Sequence, residues 1–248
     1  MAQSKPKEKT KRNANKPWYH HPAGKIALAF LIFMIEQFTT SNLLFREDYL
    51  TLTIALIANG ILIGGLLYFI IWHNRKYHDQ TPMRIKDISI KSVVYVLKIL
   101  VITIIVNGLS VILMNHLKVV NKISSNQTNI DQLSNFNLAS YIFVLALACV
   151  IAPVCEEFIF RYLPALGTTK RKPWLISFAI LFVFCHLISD LITLPLSNLN
   201  TYILIAIHAG QYAVTAFFLT RAYYKNENMA VNMSTHALWN FSAAMLSR

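Results

Sequence analysis

Charge is what this chain has least of. Only 14% of its 248 residues are Asp, Glu, Lys or Arg, while 55% are hydrophobic. A soluble domain carries roughly 25% charged and 45–50% apolar residues, so a compact aqueous domain is excluded first. Cysteine is nearly absent too: Cys149, Cys155 and Cys185 all lie in apolar runs, without CxxC spacing. That excludes a disulfide framework and leaves them as small buried hydrophobes. No HExxH pattern and no internal repeat occurs, which removes the usual zinc-protease signature and any support for an inverted-repeat transporter.

What the chain does have is a series of apolar runs of about 20 residues, the length a helix needs to cross roughly 30 Å of hydrocarbon. Seven candidate spans run near Lys25–Phe45, Tyr49–Trp72, Ser92–Leu117, Leu138–Phe160, Trp174–Pro195, Thr201–Thr220 and Met229–Leu246. The fold class is therefore all-α, a polytopic transmembrane helical bundle. The first span is the weakest, because Glu36 sits near its middle. Trp18, His20 and His21 before it have the make-up of a juxtamembrane anchor.

The net charge of +12 is distributed as a topology signal, not as a nucleic-acid surface. Lys5, Lys7, Lys9, Lys11, Arg12 and Lys16 form a basic tail with no interleaved aromatic residues to stack bases. The tail resembles a signal-peptide n-region, but its length, Glu36 and the lack of a clear cleavage pattern point to a retained helix. The 73–92, 161–173 and 221–228 loops are also basic, and the intervening ones are poor in Lys and Arg. This alternation predicts a cytoplasmic N-terminus, an opposite C-terminus and attraction to anionic lipid. Three regions follow: a basic tail (1–24), three N-terminal spans (25–117) and a four-span domain (138–248). The Asn- and Ser-rich 118–137 loop divides the last two.

Ionisable residues inside a span are costly, so each needs an account. The fourth span ends Ala152-Pro153-Val154-Cys155-Glu156-Glu157-Phe158-Ile159-Phe160-Arg161. Glu157 and Arg161 stand at i and i+4 on one helix face, which suits a structural ion pair. Glu156, about 100° around the helix, has no local cation. A carboxylate in such surroundings is of the type tuned as a general base. Pro153, one turn earlier, is expected to bend the helix.

His186 in the fifth span fits either an interhelical hydrogen bond or a catalytic site. In the seventh span His236 and Asn240 share a face one turn apart, and they too fit helix stitching or catalysis. Counted at 1.5 Å per residue, His186 lies about 18 Å and His236 and Asn240 about 10–17 Å from the cytoplasmic face, and Glu156 one or two turns. Carboxylate, imidazole and amide at one depth make a hydrolytic pattern. Cys185 beside His186 is no nucleophile pair, since adjacent helical residues point about 100° apart. His208, Lys98 and Asp190 read as structural or interfacial.

Glu-Glu-x-x-x-Arg, then Phe-x-x-x-His, then His-x-x-x-Asn, each on its own span, resembles the CAAX-processing and bacteriocin-processing (CPBP, or Abi) intramembrane proteases. The resemblance covers residues 138–248, with Tyr162 departing from the Gly of many members. It implies peptide-bond hydrolysis within the membrane. Glu156 would activate a water held by His186, His236 and Asn240 would stabilise the oxyanion, and Glu157 with Arg161 would support them. No cofactor is expected, although His186, His236 and a glutamate would also make a zinc set. The implied substrate is a peptide or membrane-associated protein, in bacteriocin self-immunity or peptide processing. A non-catalytic membrane immunity protein that captures the peptide is the alternative, and a transporter a third. Oligomeric state is not legible.

Overall fold

A computed structural model describes residues 17–44, 49–77, 89–119, 138–167, 171–194, 198–226 and 228–246. Residues 1–16 of the basic tail and the 120–137 part of the dividing loop lie outside the described residues. No strand occurs among those described. After a 3-10 turn at Trp18–His20 come α1 (Pro22–Leu44), α2 (Tyr49–Tyr77) and α3 (Ile90–His116). The fourth long helix runs continuously over 138–165 as α4 (Leu138–Ala146), a π turn (Leu147–Ile151), α5 (Ala152–Glu157), a second π turn (Phe158–Tyr162) and α6 (Leu163–Ala165). Then follow α7 (Arg171–Thr193), α8 (Leu199–Asn226) and α9 (Met229–Leu246).

Among the described residues, six helical segments are long and apolar enough to cross a membrane: Pro22–Thr39, Leu50–Tyr77, Ile90–His116, Tyr141–Ala165, Arg171–Ile192 and Leu199–Lys225. The chain is a polytopic helical membrane protein. The helix expected as the seventh span is present as α9, but it is not among these six. Asn232, Thr235 and His236 are buried on it, because α9 packs against α3, α5, α8 and the first π turn. A central helix sheltered by others tolerates polar side chains that lipid would not.

The two π turns have a readable cause. A proline has no N–H, and its ring clashes with the carbonyl four residues earlier. Pro153 and Pro164 each fall just after a π turn, and the residues four before them, Cys149 and Phe160, lie within those turns. A wider i→i+5 turn relieves the clash without breaking the helix. The bend expected at Pro153 is thus a π turn.

The second π turn also corrects a boundary. Arg161 was expected to open a cytoplasmic loop, but the helix continues to Ala165 and Arg161 is fully buried. Its partner Glu157 lies inside the bundle, so the guanidinium is drawn in rather than out to the interface. Glu156 is consequently deeper than the one or two turns expected, nine residues or roughly 13 Å before Ala165.

The N-terminal helices are fastened onto this element. Lys25 on α1 is buried and donates from Nζ to the carbonyls of Pro164 (3.0 Å) and Leu166 (2.6 Å). Gly167, at φ +59°, turns the chain away beneath His20, where a Cβ would lie 2.4 Å from the imidazole Nδ1. His20 is more than an anchor: its Nε2 lies 2.9 Å from Nε2 of His73 on α2, and His73 Nδ1 lies 3.3 Å from the Tyr162 hydroxyl. Trp18 and His21 of that group are exposed, as interfacial residues are expected to be.

Candidate active site

Three of the six candidate residues project from the fourth long helix, Glu156 and Glu157 between its π turns and Arg161 within the second. Glu157 Oε1 accepts from Arg161 Nη1 at 2.9 Å, with both side chains fully buried. The same oxygen lies 2.8 Å from Nδ1 of His236 on α9. The other Glu157 oxygen accepts from the amide of Asn232. One carboxylate therefore gathers a guanidinium, an imidazole and an amide, and so joins the fourth helix to α9. Arg161 Cζ further lies over the Phe182 ring, 4.7 Å from its centroid.

Glu156 points to a different set. Its Oε2 lies 3.5 Å from Nε2 of His236 and 3.7 Å from Nε2 of His186 on α7. This oxygen is buried without a hydrogen-bond partner among the described residues. The protonation of both rings follows from their other nitrogens. His186 Nδ1 lies 2.9 Å from the Phe182 carbonyl, which only accepts, so the hydrogen is on Nδ1 and a neutral ring shows a lone pair at Nε2. His236 Nδ1 faces the Glu157 carboxylate and by the same logic carries a hydrogen. The His186 ring is held between Phe182 and Tyr212, at 4.2 and 4.8 Å between centroids.

Asn240 stands apart from this convergence. Its Nδ2 donates to the carbonyl of Ala148, in the first π turn, at 2.7 Å. An amide nitrogen has two hydrogens, so one donor remains. Glu156, His186 and His236 are thus brought together, Glu157 and Arg161 stand behind His236, and Asn240 flanks the set one turn along α9.

Both imidazole Nε2 atoms face the same Glu156 oxygen, Oε2. Among the described residues no three His, Cys, Asp or Glu side chains are grouped to hold a metal ion.

Two participants were missed in the sequence. Asn232 precedes His236 by four residues as His236 precedes Asn240, so a face of period four on α9 was there to be read. Tyr212 gave no signal, because its contact with His186 depends on how α7 and α8 pair. Asp190 and His208, expected to be structural, form a buried pair across that same interface at 2.9 Å.

No curated protein and no solved structure matches the chain. Residues 138–242 match the family model described as Type II CAAX prenyl endopeptidase Rce1-like. That stretch contains all six candidate residues, while α1, α2 and α3 lie outside it. The match agrees with the family that the three motifs resemble, and it makes residues 138–242 similar to the Rce1-like CAAX-type endopeptidases.

Proposed function

We propose that this protein is a glutamate-type intramembrane endopeptidase acting on a peptide or membrane-associated protein. The observation that carries the reading is the approach of two imidazole Nε2 atoms to Glu156 Oε2, each imidazole fixed through its own Nδ1. A water between these groups donates one hydrogen to His186 Nε2 and the other to Glu156. Glu156 takes that proton as the hydroxyl oxygen adds to the scissile carbonyl carbon. The oxyanion so formed accepts from the spare Asn240 N–H and from His236 Nε2. His236 donates there only as an imidazolium, and the Glu157 carboxylate is its adjacent counter-charge. On collapse the C–N bond breaks and the proton held by Glu156 passes to the leaving amine, so atoms and charge balance. Glu157 and Arg161 are positioning residues.

The basic tail and loops support a cytoplasmic N-terminus and a site in the cytoplasmic half of the cell membrane. In this arrangement 138–248 is the catalytic unit and 25–117 an accessory one, with bacteriocin self-immunity or peptide maturation as the cellular role. The test is mass spectrometry of peptides released by purified wild type and by Glu156→Ala, with folding of the variant verified. Products lost in Glu156→Ala support the reading. Undiminished cleavage would overturn it, and undiminished immunity without any cleavage would favour a capture protein.

A further inference from the structure

Helix α3 carries a cation where hydrocarbon would be expected. Ile90–His116 is long and apolar enough to cross a membrane, and Lys98 lies eight residues along it, roughly 12 Å. Lys98 is exposed, and so are Val94, Leu97 and Val101 around it. This side of α3 therefore faces lipid and not the bundle. An ammonium on such a face is costly unless its stem carries it to the polar boundary or an anion meets it. The stem has a direction, because side chains on a helix lean toward its N-terminus. Lys98 thus leans back toward Lys91.

Lys91, Tyr95 and Lys98 stand at i, i+4 and i+7 on one helix face. With Ile90 and Val94 they line a groove on the outer side of α3. Tyr95 is half-buried and donates its hydroxyl to the Phe218 carbonyl of α8 at 3.4 Å, which ties the groove to the neighbouring helix. Three residues on from Phe218, the exposed Arg221 brings a third cation within electrostatic reach of Tyr95. Among the described residues, none of Lys91, Lys98 and Arg221 has an acidic partner.

The groove therefore joins unmatched positive charge to exposed apolar wall at the end of a membrane span. A phosphate fits the two ammonium groups, and Ile90 and Val94 fit the carbons attached to it. We propose that the groove on α3 binds one anionic phospholipid, with its phosphate between Lys91 and Lys98 and its acyl chains along the exposed apolar side of the helix. This is a single site for a single lipid, distinct from the diffuse attraction of the basic tail and loops. It is independent of the endopeptidase reading, since α3 lies outside the matched residues and holds no candidate residue.

Native mass spectrometry of the full chain counts the lipids retained when detergent is removed, with phosphatidylglycerol or phosphatidylcholine supplied at matched concentration. Wild type is expected to retain one phosphatidylglycerol per chain at concentrations where phosphatidylcholine is lost. Lys91→Gln/Lys98→Gln is expected to weaken that binding by about thirtyfold, and Lys91→Arg/Lys98→Arg to keep it near wild type. Arg75→Gln/Lys76→Gln removes the same charge from the exposed end of α2 and is expected to leave it near wild type. Circular dichroism checks that each variant is folded, and the exposure of both groove lysines means that their replacement leaves no buried gap. No preference for phosphatidylglycerol in wild type overturns the proposal. Equal weakening in the two Gln variants also overturns it, because surface charge in general would then hold the lipid. Displacement of the lipid by millimolar inorganic phosphate overturns it too, since the groove would then be a site for free phosphate.

Discussion

Glu157 and His236 lie on helices far apart in sequence, yet the carboxylate Oε1 and the imidazole Nδ1 are 2.8 Å apart, and neither side chain is open to solvent. Because Arg161 holds the same oxygen, the orientation of His236 depends on an ion pair that touches no substrate.

Breaking that pair from one side should cost more than removing it whole. Glu157→Ala leaves a buried guanidinium uncompensated, a loss of about 3–5 kcal/mol. The double variant Glu157→Ala/Arg161→Leu should recover part of it. Thermal unfolding in detergent measures both, and a double variant no more stable than Glu157→Ala would contradict the pairing.

Lys25 is expected to set the attachment of α1. Lys25→Met removes two charge-assisted hydrogen bonds, each worth about 1.5–3 kcal/mol. Hydrogen exchange should then rise within Pro22–Leu44 and stay near wild type within Arg171–Thr193. Equal exchange in both helices would mean that Lys25 does not fasten α1.

Tyr212 should act through its ring. Tyr212→Phe keeps the contact with His186 and is expected to retain most activity. Tyr212→Leu removes it and should lower kcat by about three- to tenfold, with KM little altered. Equal losses in the two variants would assign the role to the hydroxyl instead.

Chelation separates the two hydrolytic mechanisms. Exhaustive treatment with a zinc chelator is expected to leave peptide cleavage intact, with no stoichiometric zinc by elemental analysis. Activity lost on chelation and restored by zinc would show that the donors regroup around a metal.

Much of this architecture was legible because membrane spans announce themselves by composition. Leu50–Tyr77 has no charge until its final residues, and its reading needed only a count. The i,i+4 relation of Glu157 and Arg161 was equally local. What could not be read was lateral: which helix lies beside which, and at what height. Lys25 marked only the start of its span, because the two carbonyls it holds lie 139 and 141 residues away. The boundary at Arg161 failed for a related reason. A basic residue near a span end suggests an interface, unless a partner one turn back holds it inside. Pro153 signalled a bend, but the form of the bend depends on neighbours that fill the widened turn.

That widened turn has a further consequence. A π turn holds one residue more than an α turn, and the surplus is spread over Leu147–Ile151 just before the site. Deleting a single residue there would let the helix close into regular geometry. Everything beyond would then keep nearly its present aim, whereas the same deletion in the regular helix of α4 would swing Glu156 by about 100° away from the two imidazoles with every side chain of the site still encoded. The aim of the carboxylate is set by the length of the chain ahead of it as much as by any contact it makes.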